Sequence, residues 1–217
     1  MIDYAPAPHP TLLPQRGEGN VIAIVDYGVG NVRSVARALA HVGAEPKLTS
    51  DAEDLERADG VVLPGVGAFA PALQKLSEHG LGRRIVELAA KGKPLLGVCL
   101  GYQLLFDESM EHGRHQGLGL LPGTVVEVRN SPRLPVIGWC RVQQSQESAL
   151  WQGIEDGSYF YFVHSYTPSP SDDVIGSTEH SPAAAGARGN VMGTQFHPEK
   201  SGPDGLRIYQ NFVALCG

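Results

Sequence analysis

The sequence predicts an α/β fold: a mostly parallel central sheet flanked by helices, with added antiparallel strands. Three observations predict it. Short apolar runs recur at Val21–Val25, Gly60–Leu63 and Pro94–Val98, as expected of strands covered on both faces. Helical periodicity occupies the intervals between them, as right-handed βαβ units require. After Gly117 the texture changes to short strand-like segments separated by Gly, Pro and Ser clusters.

Taken in order, residues 1–20 hold four prolines and little apolar pattern, so they read as a flexible N-terminal extension. They lack the basic start and continuous apolar core of a signal peptide. Residues 21–217 read as one domain. Val21–Val25 is its first buried strand. Val32, Val35, Ala36, Leu39 and Val42 follow the i, i+3, i+4, i+7 rule of an amphipathic helix that Gly43 ends. Glu45–Leu48 and Gly60–Leu63 read as strands, Leu81–Ala90 as a helix, and Pro94–Val98 as a strand turning directly into a helix over Leu100–Phe106. Further strands are expected at Thr124–Val128, Ile137–Val142, Tyr159–Val163, Val174–Ser177 and Val191–Gln195, with a closing helix over Pro203–Leu215.

Bulk properties exclude several classes. A chain of 217 residues, 42% hydrophobic, can bury a sizeable core. A net charge of −6 argues against nucleic acid or an anionic membrane as partner, and no apolar run approaches the roughly 18 residues of a membrane span. Cys99, Cys140 and Cys216 show no Cys-x-x-Cys spacing, so neither a disulfide framework nor a metal site is indicated. The expected compartment is cytoplasmic, where a thiol stays reduced. Gly28-Val29-Gly30 fails the dinucleotide fingerprint at Arg33. Gly65 to Ala70 fits it, but Pro71 follows and Glu87 falls within a helix. No cofactor is expected.

Gly97-Val98-Cys99-Leu100-Gly101-Tyr102-Gln103 places a cysteine where strand becomes helix, between glycines that let the two approach. The same geometry presents the serine of a nucleophile elbow. A helix N-terminus favours thiolate there, and the Leu100 N–H can face a developing oxyanion. Read alone, Cys99 is equally a buried core cysteine. A second stretch, Phe196-His197-Pro198-Glu199-Lys200-Ser201, decides against that. An extended step places His197 and Glu199 on one side of the chain, a base together with the group that orients it. His164 is the rival base, but it has no neighbouring carboxylate and reads as a hydrogen-bonded structural histidine.

The pairing of G-x-C-x-G-x-Q with F-H-P-E resembles the triad glutamine amidotransferases. Within them, Val25–Asn31, Leu63–Phe69, Tyr161–Tyr166 and Gln195–Ser201 resemble the glutaminase subunits of imidazole glycerol phosphate synthases, in order from about Val21 to the C-terminus. The resemblance implies a class I glutamine amidotransferase-like fold and L-glutamine as substrate, with Cys99 as nucleophile, His197 as base and Glu199 orienting it. It implies a second oxyanion donor from Gly65–Val66 after a peptide flip, and a glutamine pocket from Gly67, Gln103, Glu111 and the backbone of His164, Ser165 and Tyr166. It further implies a (β/α)8-barrel cyclase subunit forming a heterodimer, with Asn31, Trp139, Tyr161 and Lys200 at the interface and ammonia passing between the two. Cys140 stands where the family usually has asparagine, and Gly202 where glutamine is common. The alternatives are a triad glutaminase of another pathway and a catalytically silent interaction subunit.

Overall fold

The computed structural model describes residues 19–217. In chain order the first half comprises β1 (Val21–Val25), α1 (Val32–His41), β2 (Glu45–Thr49), α2 (Ala52–Arg57), β3 (Gly60–Gly65), α3 (Phe69–Glu78), α4 (Leu81–Ala90), β4 (Leu95–Cys99) and α5 (Leu100–Leu104). The second half comprises β5 (Phe106–Ser109), β6 (His115–Gln116), β7 (Leu121–Glu127), β8 (Val136–Arg141), β9 (Gln143–Gln144), β10 (Tyr159–His164), β11 (Tyr166–Pro168), β12 (Val174–Ser177), β13 (Ala185–Arg188), β14 (Val191–Thr194) and α6 (Gly202–Ala214).

The main sheet has eight strands in the order β2-β1-β3-β4-β14-β13-β12-β9. Pairings from β2 through to β14 are parallel, and those beyond β14 antiparallel. Strand side chains alternate between two cores. Ile22, Ile24, Val62, Leu96 and Val98 pack under α1 and α6 with Leu39, Ile208 and Phe212. Ala23, Val25, Val61, Leu63 and Leu95 pack under α3 and α4 with Phe69, Leu76, Ile85 and Leu88. Helices on both faces explain why these strands read as unbroken apolar runs. A four-stranded sheet, β11-β7-β5-β6, and the β10-β8 ribbon complete the fold. Among the described residues no helix is long and apolar enough to cross a membrane.

Several expectations change. The helix expected over Leu100–Phe106 stops at Leu104, because Phe106 instead pairs with Leu121 in β5 and is buried edge-on against Tyr102. Helix α3 was not expected; Pro71 occupies its first turn, where no helical N–H partner is lost. Helix α2 was also missed, although Asp51 caps it by accepting from the Glu53 N–H at 2.8 Å. Residues 1–18 of the expected extension lie outside the described residues. Asn20, placed in that extension, is tied to the domain: its side chain donates to the Val213 carbonyl at 2.9 Å, and its carbonyl accepts from Glu45.

Candidate active site

Strand order brings the site together. β4 lies between β3 and β14, with Gly65 opposite Cys99 and Thr194 opposite Val98. Parallel strands about 4.8 Å apart therefore end side by side in the Pro64–Gly67 loop, Cys99 and the Gln195–His197 segment. These are the carboxyl ends at which open α/β sheets build their sites.

Cys99 is buried and has φ 56° and ψ −113°. For a residue with a Cβ this costs about 1–3 kcal/mol, a strain characteristic of functional turns. Close packing enforces it. A Cβ on Gly101 would lie 1.8 Å from the Leu63 carbonyl oxygen, and one on Gly97 2.7 Å from the Tyr102 Cα. With α5 only five residues long, the helix-dipole support expected for a thiolate reduces to local N–H groups such as that of Leu100.

His197 and Glu199 meet as expected, but not through an extended step. Residues Pro198–Lys200 form a 3-10 turn, and the turn brings Glu199 Oε1 within 2.8 Å of His197 Nδ1. Both side chains are nearly fully buried, at 2% and 1% exposure. Tyr209, buried on the inner face of α6, donates its hydroxyl to Glu199 Oε2 at 3.4 Å. Ser201 Oγ donates to the His197 carbonyl at 2.6 Å, and the His197 N–H donates to the Tyr161 carbonyl at 2.9 Å. Burial alone disfavours the imidazolium. The neighbouring Cys99 and Glu199 side chains outweigh it and push His197 up to about 10. Nε2 nevertheless makes no complete hydrogen bond among the described residues. The Cys99 thiol and the His197 ring are neighbours without a completed hydrogen bond between them.

His164 is also buried with an unpartnered Nε2 among the described residues, but its other contacts differ. Its Nδ1 donates to the Tyr166 carbonyl at 3.0 Å, no carboxylate among the described residues contacts it, and burial pushes it down to about 4. It is a neutral, structurally bonded histidine.

A cavity of about 250 Å³ opens beside Cys99 and His197, lined by Val66, Gly67, Leu100, Gln103, Glu111, His164, Ser165 and Tyr166. Sequence reasoning missed Pro135 and Val163, which also line it. A larger, open groove of about 520 Å³ between Gln144 and Gln152 holds no cysteine or histidine. Glu111 reaches across from its loop to accept the Phe69 N–H at 2.7 Å, which fixes a carboxylate at the start of α3 and on the cavity wall. Gln103 Nε2 donates to the Tyr166 carbonyl at 2.7 Å and to Gln195 Oε1 at 3.0 Å. Only its Oε1 is left to meet a ligand. Gly65 is walled in: a Cβ there would lie 2.8 Å from both the Gly101 nitrogen and the Tyr27 hydroxyl.

The ribbon of β8 and β10 borders the cavity. Its inner face, Phe160 and Phe162, packs on Phe196, with Phe160 and Phe196 stacked at 4.2 Å. Its outer face leaves Ile137, Trp139 and Tyr159 at 64%, 55% and 58% exposure. Trp139 meets Tyr161 edge-on at 6.2 Å, and Lys200 Nζ lies 5.7 Å over the Tyr161 ring. Asn31 sits half-buried at the start of α1, which packs against the Pro198–Lys200 turn. Cys140, next to Trp139, is half-buried on the inner side of the ribbon, and Gly202 takes φ 62°, a conformation that favours glycine.

Residues 23–216 match the family model of glutamine amidotransferase class-I. An imidazole glycerol phosphate synthase subunit HisH of Bacillus cereus (strain AH187) is 48% identical over 198 residues, covering 90% of this chain and 95% of that protein. Its counterpart in Bacillus anthracis (strain CDC 684 / NRRL 3495) is 47% identical with the same coverage. Among solved structures, PurLQS from Thermotoga maritima has a TM-score of 0.72 at 22% identity, covering 91% of this chain and 99% of its own. A glutamine amidotransferase from the same organism has a TM-score of 0.61 at 18% identity, covering 84% and 77%; likeness at this level shows the fold. The chain belongs to the class-I glutamine amidotransferases.

Proposed function

We propose that this chain is the glutaminase subunit of an imidazole glycerol phosphate synthase, acting in histidine biosynthesis. In this reading it hydrolyses L-glutamine to glutamate and ammonia and passes the ammonia to a separate cyclase. The observation that carries it is the buried His197–Glu199 pair, 2.8 Å apart, beside a strained Cys99 at the end of β4. His197, made a strong base by its Cys99 and Glu199 neighbours, holds the thiol proton as Cys99 attacks the side-chain carbonyl of glutamine. The imidazolium then delivers that proton to the departing nitrogen as the γ-glutamyl thioester forms. Neutral again, with Nδ1–H held by Glu199, His197 activates the water that releases glutamate. Glu111 meets the substrate ammonium, and the Leu100 N–H stabilises the oxyanion. A second donor follows from a flip of the Gly65–Val66 peptide, which turns about Gly65 ψ and Val66 φ. Glycine permits the first rotation; the β-branched Val66 resists the second, so the donor is a state that must be favoured from outside.

The exposed Trp139–Tyr161–Lys200 surface beside the cavity is where a (β/α)8-barrel cyclase docks in this reading, forming a heterodimer in the cytoplasm. Trp and Tyr are anchor types at interfaces, with large apolar area and one polar handle. Ammonia released there reaches the acceptor without protonation in water. Expressed with its cyclase, Cys99→Ala abolishes imidazole glycerol phosphate formation from glutamine and leaves formation from ammonium salts intact. Equal loss of both in a correctly assembled complex refutes the division of labour.

A further inference from the structure

We propose that Gln195 is a further catalytic residue: its side-chain amide donates a hydrogen bond to the Cys99 sulfur and is held in that orientation by Gln103. The proposal rests on Cys99 being the nucleophile.

The backbone places Gln195 for this. It directly follows β14, whose register sets Thr194 opposite Val98, so Gln195 comes next to Cys99. Its backbone N–H is engaged by the Ala184 carbonyl at 2.8 Å, and the residue is 0% exposed. A primary amide buried to that extent needs partners for both ends. Oε1 accepts from Gln103 Nε2 at 3.0 Å, and Nε2 lies 3.9 Å from Cys99 Sγ. Among the described residues the sulfur is the one side-chain partner of that nitrogen.

The amide cannot turn round. Gln103 Nε2 has two hydrogens, one directed to the Tyr166 carbonyl at 2.7 Å and one to Gln195. Reversing Gln195 would set one NH2 group against another. Its nitrogen is therefore fixed toward the sulfur, and it offers only hydrogens. It can neither accept the thiol proton nor compete with His197 as base.

Negative charge develops on this sulfur twice in each turnover. The first occasion follows proton transfer to His197. The second comes when water has added to the thioester carbonyl: the C–S bond breaks, its electron pair stays on sulfur, and glutamate leaves. A neutral donor lowers the cost of both states. At 3.9 Å the bond is loose, so it supports charge without blunting the nucleophile as a short bond would. Donation from Gln103 into Gln195 Oε1 polarises the Gln195 amide and strengthens its N–H as a donor. Among the described residues, the other titratable groups near the sulfur are His197 with Glu199 behind it, His164, Glu111 and Tyr166 on the cavity wall, and the Tyr27 hydroxyl. The substitutions below alter none of them.

The test is iodoacetamide alkylation of the full chain from about pH 5 to about 9, read at each cysteine by peptide mass spectrometry. Half-buried Cys140 serves as internal reference. Gln195→Met keeps length and removes the donor; Gln195→Glu keeps the acceptor that Gln103 needs and places a carboxylate at the sulfur. We expect Cys99 alkylation at neutral pH to fall about 10-fold in the first and further in the second. The pH profile at Cys99 moves to the alkaline side, while that of Cys140 stays in place. A packing role alone lowers the unfolding temperature and leaves the profile where it was. If Gln195→Met does not fold, Gln195→Glu decides. A parental Cys99 profile in a folded variant overturns the proposal. Labelling of parental Cys99 by 6-diazo-5-oxo-L-norleucine checks the nucleophile separately: its absence strikes that assignment, whereas labelled Cys99 with unshifted variants strikes only Gln195.

Discussion

Acidification should expose His164 as a structural histidine. Burial holds its imidazole at about 4, against an ordinary value of 6.5. The sign follows from proton counting: the unfolded chain takes up a proton on this side chain before the folded chain does. Stability from a neutral His164 is therefore full above about 6.5 and is lost as pH falls toward 4. The whole difference corresponds to about 3 kcal/mol. About 2 kcal/mol of it disappears between pH 7 and pH 5. In His164→Asn the amide nitrogen can replace Nδ1 as donor to the Tyr166 carbonyl, and no titrating group remains. Urea unfolding of both proteins at the two pH values isolates the effect, because every other carboxylate and histidine is shared. The parent should lose about 2 kcal/mol more than the variant on acidification, whatever the offset between them at pH 7. Parallel losses would mean that His164 protonates freely in the folded chain. The same variant should still form the thioester, since the base is assigned elsewhere.

Three further outcomes are expected. His197→Asn should slow thioester formation by about 100-fold or more, and by more than Glu199→Gln, because the first removes proton transfer and the second only its orientation; single-turnover kinetics with the reverse order would refute the assignment. Gly101→Ala should cost more than about 3 kcal/mol in urea unfolding, because its Cβ would sit 1.8 Å from a backbone oxygen of β3; a stable variant would show that the elbow is not packed as described. Trp139→Ala should weaken cyclase binding by about 2 kcal/mol or more in calorimetry while moving the isolated subunit's stability by no more than about 0.5 kcal/mol, since the ring is 55% exposed.

What the sequence revealed depended on how locally each feature is encoded. Parallel strands between two helical layers carry their burial in a few consecutive residues, so β1, β3, β4 and β14 were legible. So was the elbow, because a nucleophile between two glycines is a local constraint. The short strands β6, β9 and β11, of two or three residues, have no periodicity to read. Glu199 was found for a geometry that does not exist, since two residues along a 3-10 turn converge as well as two along a strand. Gln195 and Tyr209 were missed for a different reason. Each lies among residues already explained, one inside the motif and one on the buried face of α6, and only its polar tip carries the signal. Gln195 was within reach, because on an extended segment it shares a side with His197.

The order of the strands, which the sequence does not state, explains how such a site can serve different partners. The chain leaves the parallel part of the main sheet at Cys99 and rejoins it at Val191, yet β4 and β14 are neighbours, locked from Val191 opposite Leu95 to Thr194 opposite Val98. The intervening residues build the four-stranded sheet, the β8–β10 ribbon and the strands beyond β14. They supply Glu111 and the His164–Tyr166 wall to the cavity, and Trp139 and Tyr161 to the outer face. Cys99, Gln195 and His197, by contrast, hang from the two locked strands and the turn that follows. The excursion can therefore change in length and surface while the register that positions nucleophile and base stays fixed. Its ties to the His197 segment include the Phe160–Phe196 stack, the Tyr161 carbonyl that holds the His197 N–H, and the Tyr161 N–H donated to Ser201 Oγ, which itself donates to the His197 carbonyl. A partner pressing on the outer face of β10 thus acts one residue away from the backbone bond that seats the base. In the proposed complex, that position of the strand gives docking a route to His197.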